Sequence, residues 1–107
     1  MTLQDKFCQA INSRVLIEVR YDSDEGPDKQ FRLFEPCAVY WSAASPGTVK
    51  VAGVQYRNPN KPQDMHKPRD WLLAKVLEAR LTATAFQPNQ LFDPSLPKYR
   101  AGIICRV

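Results

Sequence analysis

The sequence predicts a mostly β fold: a small curved sheet or barrel of about five strands, preceded by a short N-terminal helix. Over 15–21 an apolar residue stands at every second position, Val15, Ile17, Val19 and Tyr21, which is the period of a half-buried strand. A second strand-like run covers 31–41, and turns containing proline and glycine separate it from further short apolar runs. The 107 residues suffice for one domain, 1–107, with one hydrophobic core.

The composition is that of an ordinary globular protein, with 44% hydrophobic and 24% charged residues. The net charge of +4 is mild, and it suits an anionic partner without requiring one. No apolar run approaches the roughly 20 residues that cross a bilayer, and the start of the chain lacks a signal-peptide pattern. We therefore expect a cytoplasmic protein that does not interact with membranes.

The cysteines are Cys8, Cys37 and Cys105, which lie far apart, and the only histidine is His66. A structural zinc site needs about four Cys or His ligands at suitable spacing, so we expect no metal. No catalytic motif is present, and we expect no cofactor. We expect reduced, partly buried thiols that behave as small hydrophobic side chains.

The first predicted element is an amphipathic helix over residues 3–12. Thr2 followed by Asp5 is a weak form of a capping box, which marks a helix start. Apolar residues then recur at helical spacing: Leu3, Phe7, Ala10 and Ile11. We expect this helix to pack on the sheet and to close one open end of the barrel.

The first strand, 15–21, carries side chains on two faces. One face holds Val15, Ile17, Val19 and Tyr21, and the other holds Leu16, Glu18 and Arg20. Residues 22–29 contain turn formers and acids with no apolar anchor, so we predict a solvated hairpin tip. A calcium loop would need a different order of acids, and Pro27 interrupts the run.

The second strand starts near Gln30 and meets Pro36, which cannot donate to a ladder, so we predict a bulge or bend there. A turn over 43–47 leads to a third strand over 48–56. Gly53 inside that strand predicts a bend, or a close approach of backbone or ligand.

Residues 57–69 are the least regular part of the chain. Three prolines exclude both a helix and a central strand there. The cations of this segment outnumber its single acid, Asp64; they are Arg57, Lys61, Lys67 and Arg69. Two interpretations stand side by side, an anion-facing lid and a mobile surface loop stiffened by proline.

The composition of segment 72–81 suits a helix or a strand. The clean alternation over 77–86, with threonines on one face, favours a strand. Residues 87–100 form a connector punctuated by prolines, and 101–107 are short enough for a final strand.

In this order of features the chain resembles the WYL domain family. The matching segments are Ala10-Ile11 leading to Val19-Arg20-Tyr21, then Arg32-Leu-Phe-Glu-Pro36, Gly53-Val-Gln-Tyr56, and Trp71-Leu-Leu-Ala-Lys-Val76 before a strand that ends at Phe86. The closing residues 99–107 are similar to the tail of short standalone members. The resemblance implies a Sm-like small barrel and a role in transcription regulation. It also implies a pocket for negatively charged ligands, such as nucleotides or short nucleic acids.

The chain departs from the family pattern at the pocket. The eponymous Trp-Tyr-Leu positions are Val49, Lys50 and Val51. Cys37 stands where a histidine often follows the proline. In segment 71–76, leucine and lysine replace two arginines of the family's Phe-Arg-Leu-Asp-Arg-Ile segment. The usual cationic set is therefore incomplete, and no helix-turn-helix is visible in the sequence.

We expect a ligand-sensing or regulatory binding module for an anionic ligand. Arginines on strands are the reason, since a guanidinium binds phosphate or carboxylate bidentately, and nearby aromatic rings could stack on a base. The predicted ligand-binding residues are Arg20, Tyr21, Arg32, Tyr56, Arg57 and Arg80. In the alternative, these arginines are surface partners of Glu18, Glu35 or Glu78, and the aromatic residues belong to the core.

Two other binding functions are compatible with the sequence. A small barrel can bind single-stranded nucleic acid or RNA through a basic groove with interleaved aromatics. The chain could instead be a protein interaction module, a homodimer formed along strand edges. We do not expect an enzyme, because Ser42 and Ser45 have no recognisable partner histidine, and acids such as Glu18 and Glu35 suit ordinary surface charges.

Overall fold

The computed structural model describes residues 1–88 and 92–107. Along them run helix α1 (Leu3–Ser13) and strands β1 (Val15–Ser23), β2 (Gly26–Pro27), β3 (Arg32–Trp41), β4 (Val49–Arg57), β5 (Lys67–Leu72), β6 (Val76–Ala85) and β7 (Ile103–Arg106). Short 3-10 turns cover Leu73–Lys75 and Pro97–Tyr99. The predicted class is confirmed, since the chain is mostly β with a short N-terminal helix. In the described part, no helix has both the length and the apolar character needed to span a membrane.

The strands form a curled antiparallel sheet, a half-barrel of five strands. The order is β6-β1-β3-β4-β5, with β2 folded back on the end of β1 and β7 added to β3. Strands β5 and β6 follow each other along the chain but lie at opposite ends of this order, so the sheet curls to bring them together. Tyr21 of β1 links the two ends: it pairs with Val76 of β6, and its hydroxyl oxygen accepts a hydrogen bond from Leu72 N at 3.2 Å.

Strand β3 is the centre of the sheet. Strand β4 follows it along one edge, whereas β1 and β7 share the other edge. Strand β1 pairs with Arg32–Phe34, and β7 pairs with Ala38–Tyr40. The register with β4 shifts between Pro36 and Ala38, which confirms the predicted bulge at the proline.

Helix α1 forms where the sequence predicts it and packs on β1, β3, β6 and β7. The predicted capping box is present: Thr2 Oγ1 accepts from Asp5 N at 3.0 Å, and Asp5 Oδ2 accepts from Thr2 N at 3.2 Å. The buried residues of the helix are Phe7, Ala10 and Ile11. They join the main core cluster with Ile17, Val19, Phe34, Val39, Val51 and Trp71. The helix therefore covers the inner face of the half-barrel.

Gly53 lies where β4 meets a core ring. A Cβ atom there would stand 2.5 Å from Cζ of Phe34, and still closer to the carbonyl oxygen of Glu35. Real Cβ atoms do not approach that closely, so only glycine fits. The predicted close approach at Gly53 is confirmed.

Strand β5 corrects the prediction that all of 57–69 is irregular. It begins at Lys67 and contains Pro68. In the described part β5 pairs only with β4, so it is an edge strand. A proline can take part in an edge strand because one side of the strand needs no ladder donors.

Segment 72–81, which suited both helix and strand, ends β5, forms a 3-10 turn at 73–75 and then enters β6. The predicted strand is confirmed over Val76–Ala85, but its alternation is interrupted. Between Glu78 and Val76 the register with β1 shifts, and Leu77 is left 43% exposed on the bulge.

Residues 92–107, here called the strap, cross the outer face of β3 and β4 and end in β7. The ring of Tyr99 packs edge-on against Tyr40 at 4.7 Å, and Lys98 Nζ donates to Asp70 Oδ2 at 2.9 Å. The final strand predicted over 101–107 is confirmed as β7. The predicted connector 87–100 includes residues outside the described part.

The expectation of reduced thiols is wrong for two cysteines. Cys8 of α1 and Cys105 of β7 form a disulfide. No local pattern signals it, because the two residues are 97 positions apart and meet only when α1 packs against β7. Cys37 is free and buried, as expected, and burial together with the nearby Glu35 carboxylate raises the pKa of its thiol to about 12.

Candidate functional site

Arg32, the first residue of β3, is the most strongly held cation of the chain. Its Nε and Nη2 donate to the two carboxylate oxygens of Asp28 at 2.6 and 2.9 Å, and its Nη1 donates to Gln55 Oε1 at 3.0 Å. All three residues are buried. The guanidinium is therefore fixed in place and already has a carboxylate partner.

Asp28 corrects the prediction of a solvated tip over 22–29. Only 5% of Asp28 is exposed, and its backbone pairs with Tyr21: Asp28 N donates to Tyr21 O at 2.9 Å, and Tyr21 N donates to Asp28 Oδ2 at 3.0 Å. Strand β2 continues the hairpin, which leaves Asp24 and Glu25 as the exposed tip. The inward position of the acid has a physical reason, since a buried guanidinium needs a carboxylate partner and Asp28 is the partner of Arg32.

Aromatic rings line one side of this ion pair. Trp71 stacks with Phe34 at 4.3 Å and with Tyr21 at 5.2 Å between ring centroids. The guanidinium carbon of Arg32 lies 5.7 Å from the Trp71 ring and 5.9 Å from the Tyr21 ring. Because Trp71 is only 4% exposed, the core already uses most of its stacking surface.

A cleft of about 720 Å³ opens beside Arg32, between the β1–β2 hairpin and loop 58–64. No residue of α1 lines it. The cations in its lining are Lys29, Arg32, Lys61, Arg69 and Lys75. The acids in its lining are Asp24, Glu25, Asp28 and Asp64. The cleft is strongly polar and carries a small excess of positive charge.

Loop 58–64 is tied to the hairpin side of the cleft by Asn60. Its Oδ1 accepts from the backbone amides of Lys29 and Gln30 at 3.0 Å, and its Nδ2 donates to Gln30 O at 2.9 Å. From below, Gln55 Nε2 donates to Asp64 O at 3.2 Å. Loop 58–64 therefore forms one wall of the cleft.

Ion pairs also connect the two walls of the cleft. Lys61 Nζ lies 2.9 Å from Glu25 Oε1, and Lys75 Nζ lies 3.6 Å from Asp24 Oδ1. The tip acids are largely in solvent, with side-chain exposures of 75% and 101%, so water screens both pairs and they hold the two walls together only weakly. Deeper in the cleft, Asp64 is held by two cations, and the hydrogen bond from Lys67 lowers the pKa of its carboxyl.

Arg20 and Arg80 lie on the outer side of β1 and β6. Arg20 Nε donates to Asp28 O at 3.1 Å, and its guanidinium pairs with Glu78. Arg80 pairs with Glu18 at 3.2 Å and stacks on the ring of Phe31 at 3.9 Å. Both arginines therefore form ion pairs with surface glutamates, as the alternative interpretation of the sequence predicts. Neither of them lines the cleft.

Tyr56 and Arg57 also lie away from the cleft. The Tyr56 hydroxyl donates to Glu35 Oε1 at 2.6 Å, and burial together with this bond raises the pKa of Tyr56 to about 12. Glu35 thus binds a tyrosine instead of an arginine. Arg57 is exposed and forms no salt bridge with any described residue. Of the six predicted residues, the cleft brings together Tyr21 and Arg32.

The sequence prediction missed four residues that shape the cleft: Asp28, Gln55, Asn60 and Trp71. Asp28 and Asn60 lie in loops, where no periodicity marks an inward side chain. Gln55 lies in β4, two positions after Gly53 and four after buried Val51, so the period of the strand is the signal that could have found it. Trp71 had a signal, since it opens segment 71–76, which resembles the Phe-Arg-Leu-Asp-Arg-Ile segment of the WYL family in its place along the sequence. In residues 1–88 and 92–107, no three His, Cys, Asp or Glu side chains are grouped so that they could hold a metal ion.

Comparison with known proteins assigns no family to this chain. No family model matches it, and neither a curated protein nor a solved structure matches it significantly. The similarity to the WYL family therefore stays a prediction from the sequence.

Proposed function

We propose that the chain is a regulatory binding module whose cleft takes an anionic ligand, such as the phosphate group of a nucleotide. The observation that carries this proposal is the convergence of four further cations on one cleft of about 720 Å³ beside a rigid, buried Arg32. The Sm-like, WYL-type barrel implied by the sequence would use such a pocket in the same way.

The rim of the cleft supplies the charge for an anion. Arg32 and Asp28 neutralise each other, whereas Lys29 forms no salt bridge with any described residue. Lys61 and Lys75 are held only by the exposed tip acids. A dianion that enters the rim can replace these weak pairs with charge-assisted hydrogen bonds to two or three lysines.

The aromatic residues favour a compact anionic group over a stacked base. Base stacking is worth roughly 1–3 kcal/mol where a ring face is free. Trp71 is buried against Phe34 and Tyr21, so little of its ring is free for a base. We therefore expect phosphate contacts to contribute more affinity than base contacts.

A titration with pyrophosphate tests this proposal. At about 100 times its dissociation constant the anion should add roughly 2.7 kcal/mol to the free energy of unfolding, visible as a higher melting temperature. The paired variant Lys29→Ala/Lys61→Ala should weaken binding at least about tenfold, because it removes two rim charges. Arg57→Ala/Arg100→Ala is the matched control, since it removes two exposed cations outside the cleft. An equal loss in the control, or no thermal shift with pyrophosphate, contradicts the proposal.

A strand-edge interaction module is the second candidate. It is favoured by β6, a strand of 10 residues that pairs only with β1 in the described part of the chain. Its exposed side includes Leu77. A molecular mass that rises with concentration, and that falls back when Leu77 is replaced by lysine, would support this candidate.

A further inference from the structure

The disulfide of Cys8 and Cys105 links β7 covalently to helix α1. Strand β7 lies along the second half of one edge of β3. Strand β7 is 4 residues long and pairs with Ala38–Tyr40. A bond from Trp41 N to Gly102 O at 2.9 Å extends this pairing. Without β7, the N–H and C=O groups of β3 that now bond to β7 would have no strand as a partner, although β3 is the central strand of the sheet.

The strap is also held by non-covalent contacts. Tyr99 is buried in a small cluster with Tyr40, and Ile104 of β7 packs against the main core. Lys98 and Asp70 add an ion pair whose side chains are 42% and 34% exposed. The covalent bond to α1 adds to these contacts a constraint that a reductant can remove.

We propose that this disulfide is a redox latch: when it is reduced, β7 leaves β3, and β7 of a second copy of the chain takes its place. The second copy is the occupant because β7 is the strand whose register this edge already fits. Exchange of β7 between two copies restores every backbone pair in both of them. The inference does not depend on anion binding in the cleft.

The reductant is a dithiol. One of its thiolates attacks a sulfur of the disulfide, forms a mixed disulfide and releases a cysteine thiolate, which takes a proton. The second thiolate then displaces the other cysteine, so two electrons and two protons reach Cys8 and Cys105 while the dithiol becomes a disulfide. Both cysteines are half-buried, within reach of such a reagent. Cys37 does not compete, because its buried thiol stays protonated.

The full chain tests the latch by mass measurement with and without dithiothreitol. The oxidised protein should be a monomer, and the reduced protein should form a dimer whose fraction rises with concentration. The backbone amide of Trp41, which donates to Gly102 O, should exchange hydrogen at least about tenfold faster in the reduced monomer, because the segment leading into β7 no longer protects it. A reduced protein that stays monomeric with unchanged exchange at Trp41 overturns the proposal.

Two single-cysteine variants identify the exchanged strand. In a Cys37→Ala background, Cys8→Ser keeps only Cys105, and Cys105→Ser keeps only Cys8. In an exchanged dimer of the two variants, Cys8 of one copy meets Cys105 of the other, so mild oxidation of the mixture should give a covalent dimer on a non-reducing gel. Each variant alone is the control and should give at least about fivefold less. Equal crosslinking in the mixture and in the controls would show that reduced copies associate by another surface, and the proposal fails.

Discussion

Arg32 and Asp28 show what sequence patterns can and cannot predict about single residues. An arginine among apolar neighbours on a strand is visible in the sequence, and Arg32 does lie at the cleft. Its partner was invisible, because Asp28 stands among other acids in a turn-rich segment and only the folded hairpin turns it inward. The same limit applies to Asn60, whose role depends on contacts with Lys29 and Gln30 about 30 positions away.

The buried ion pair gives the first prediction. Asp28→Asn removes the negative charge but leaves the guanidinium of Arg32 buried, so the free energy of unfolding should fall by about 3–5 kcal/mol. Asp22→Asn is the matched control on the same hairpin and should change it by less than about 0.5 kcal/mol. Urea denaturation measures both. Similar values for the two variants would mean that the Asp28–Arg32 pair does not stabilise the fold.

Cys37 makes the stability depend on alkaline pH. Its pKa is about 12 in the folded chain against an ordinary value of 9.0, so the folded state keeps a proton that the unfolded state loses above pH 9. The contribution to stability is complete below pH 9 and is lost as the pH rises toward 12. Between pH 8 and pH 10 the free energy of unfolding should drop by about 1 kcal/mol more in the wild type than in Cys37→Ala. Parallel pH profiles for the two proteins would contradict this.

At the scale of elements, patterns with a strict period were the reliable ones. The alternation of β1 and the helical spacing of α1 each predicted an element that the structure contains. Two features, strand β5 and the bulge in β6, were not predicted by these patterns, and each has a physical reason. Strand β5 tolerates Pro68 because it is an edge, and the bulge at Leu77 shifts the register by one residue, which no period can foresee.

Gly53 and Gly47 form a matched pair for testing the packing of β4. Gly53→Ala forces a methyl group into Phe34 and the backbone of β3, so we expect a loss of about 3 kcal/mol in the free energy of unfolding. Gly47→Ala meets no atom within 4 Å, but its φ of +82° is unfavourable for alanine, and the loss should be about 1 kcal/mol. Thermal denaturation followed by circular dichroism compares them. A milder effect at Gly53 than at Gly47 would show that β3 and β4 can separate at little cost.

At the scale of the whole molecule, the disulfide encloses nearly the entire chain. Cross-linking residues 97 positions apart removes much of the conformational entropy of the unfolded state. The double variant Cys8→Ser/Cys105→Ser should therefore lose roughly 4 kcal/mol of unfolding free energy. Guanidinium denaturation of the variant and of the reduced wild type should give similar midpoints, since both lack the bond. A midpoint equal to that of the oxidised protein would show that the bond does not stabilise the fold.

The two partners that share one edge of β3 also constrain how the chain can fold during synthesis. Strand β1 leaves the ribosome long before β6, and the second half of β3 waits for β7, the last strand in chain order. Each of these long-range pairings costs conformational entropy when its loop closes, and this cost comes before the pairing stabilises the sheet. The sheet is therefore completed late, on a scale of roughly milliseconds to seconds. Until then, a nascent chain exposes an apolar strand that chaperones would need to protect.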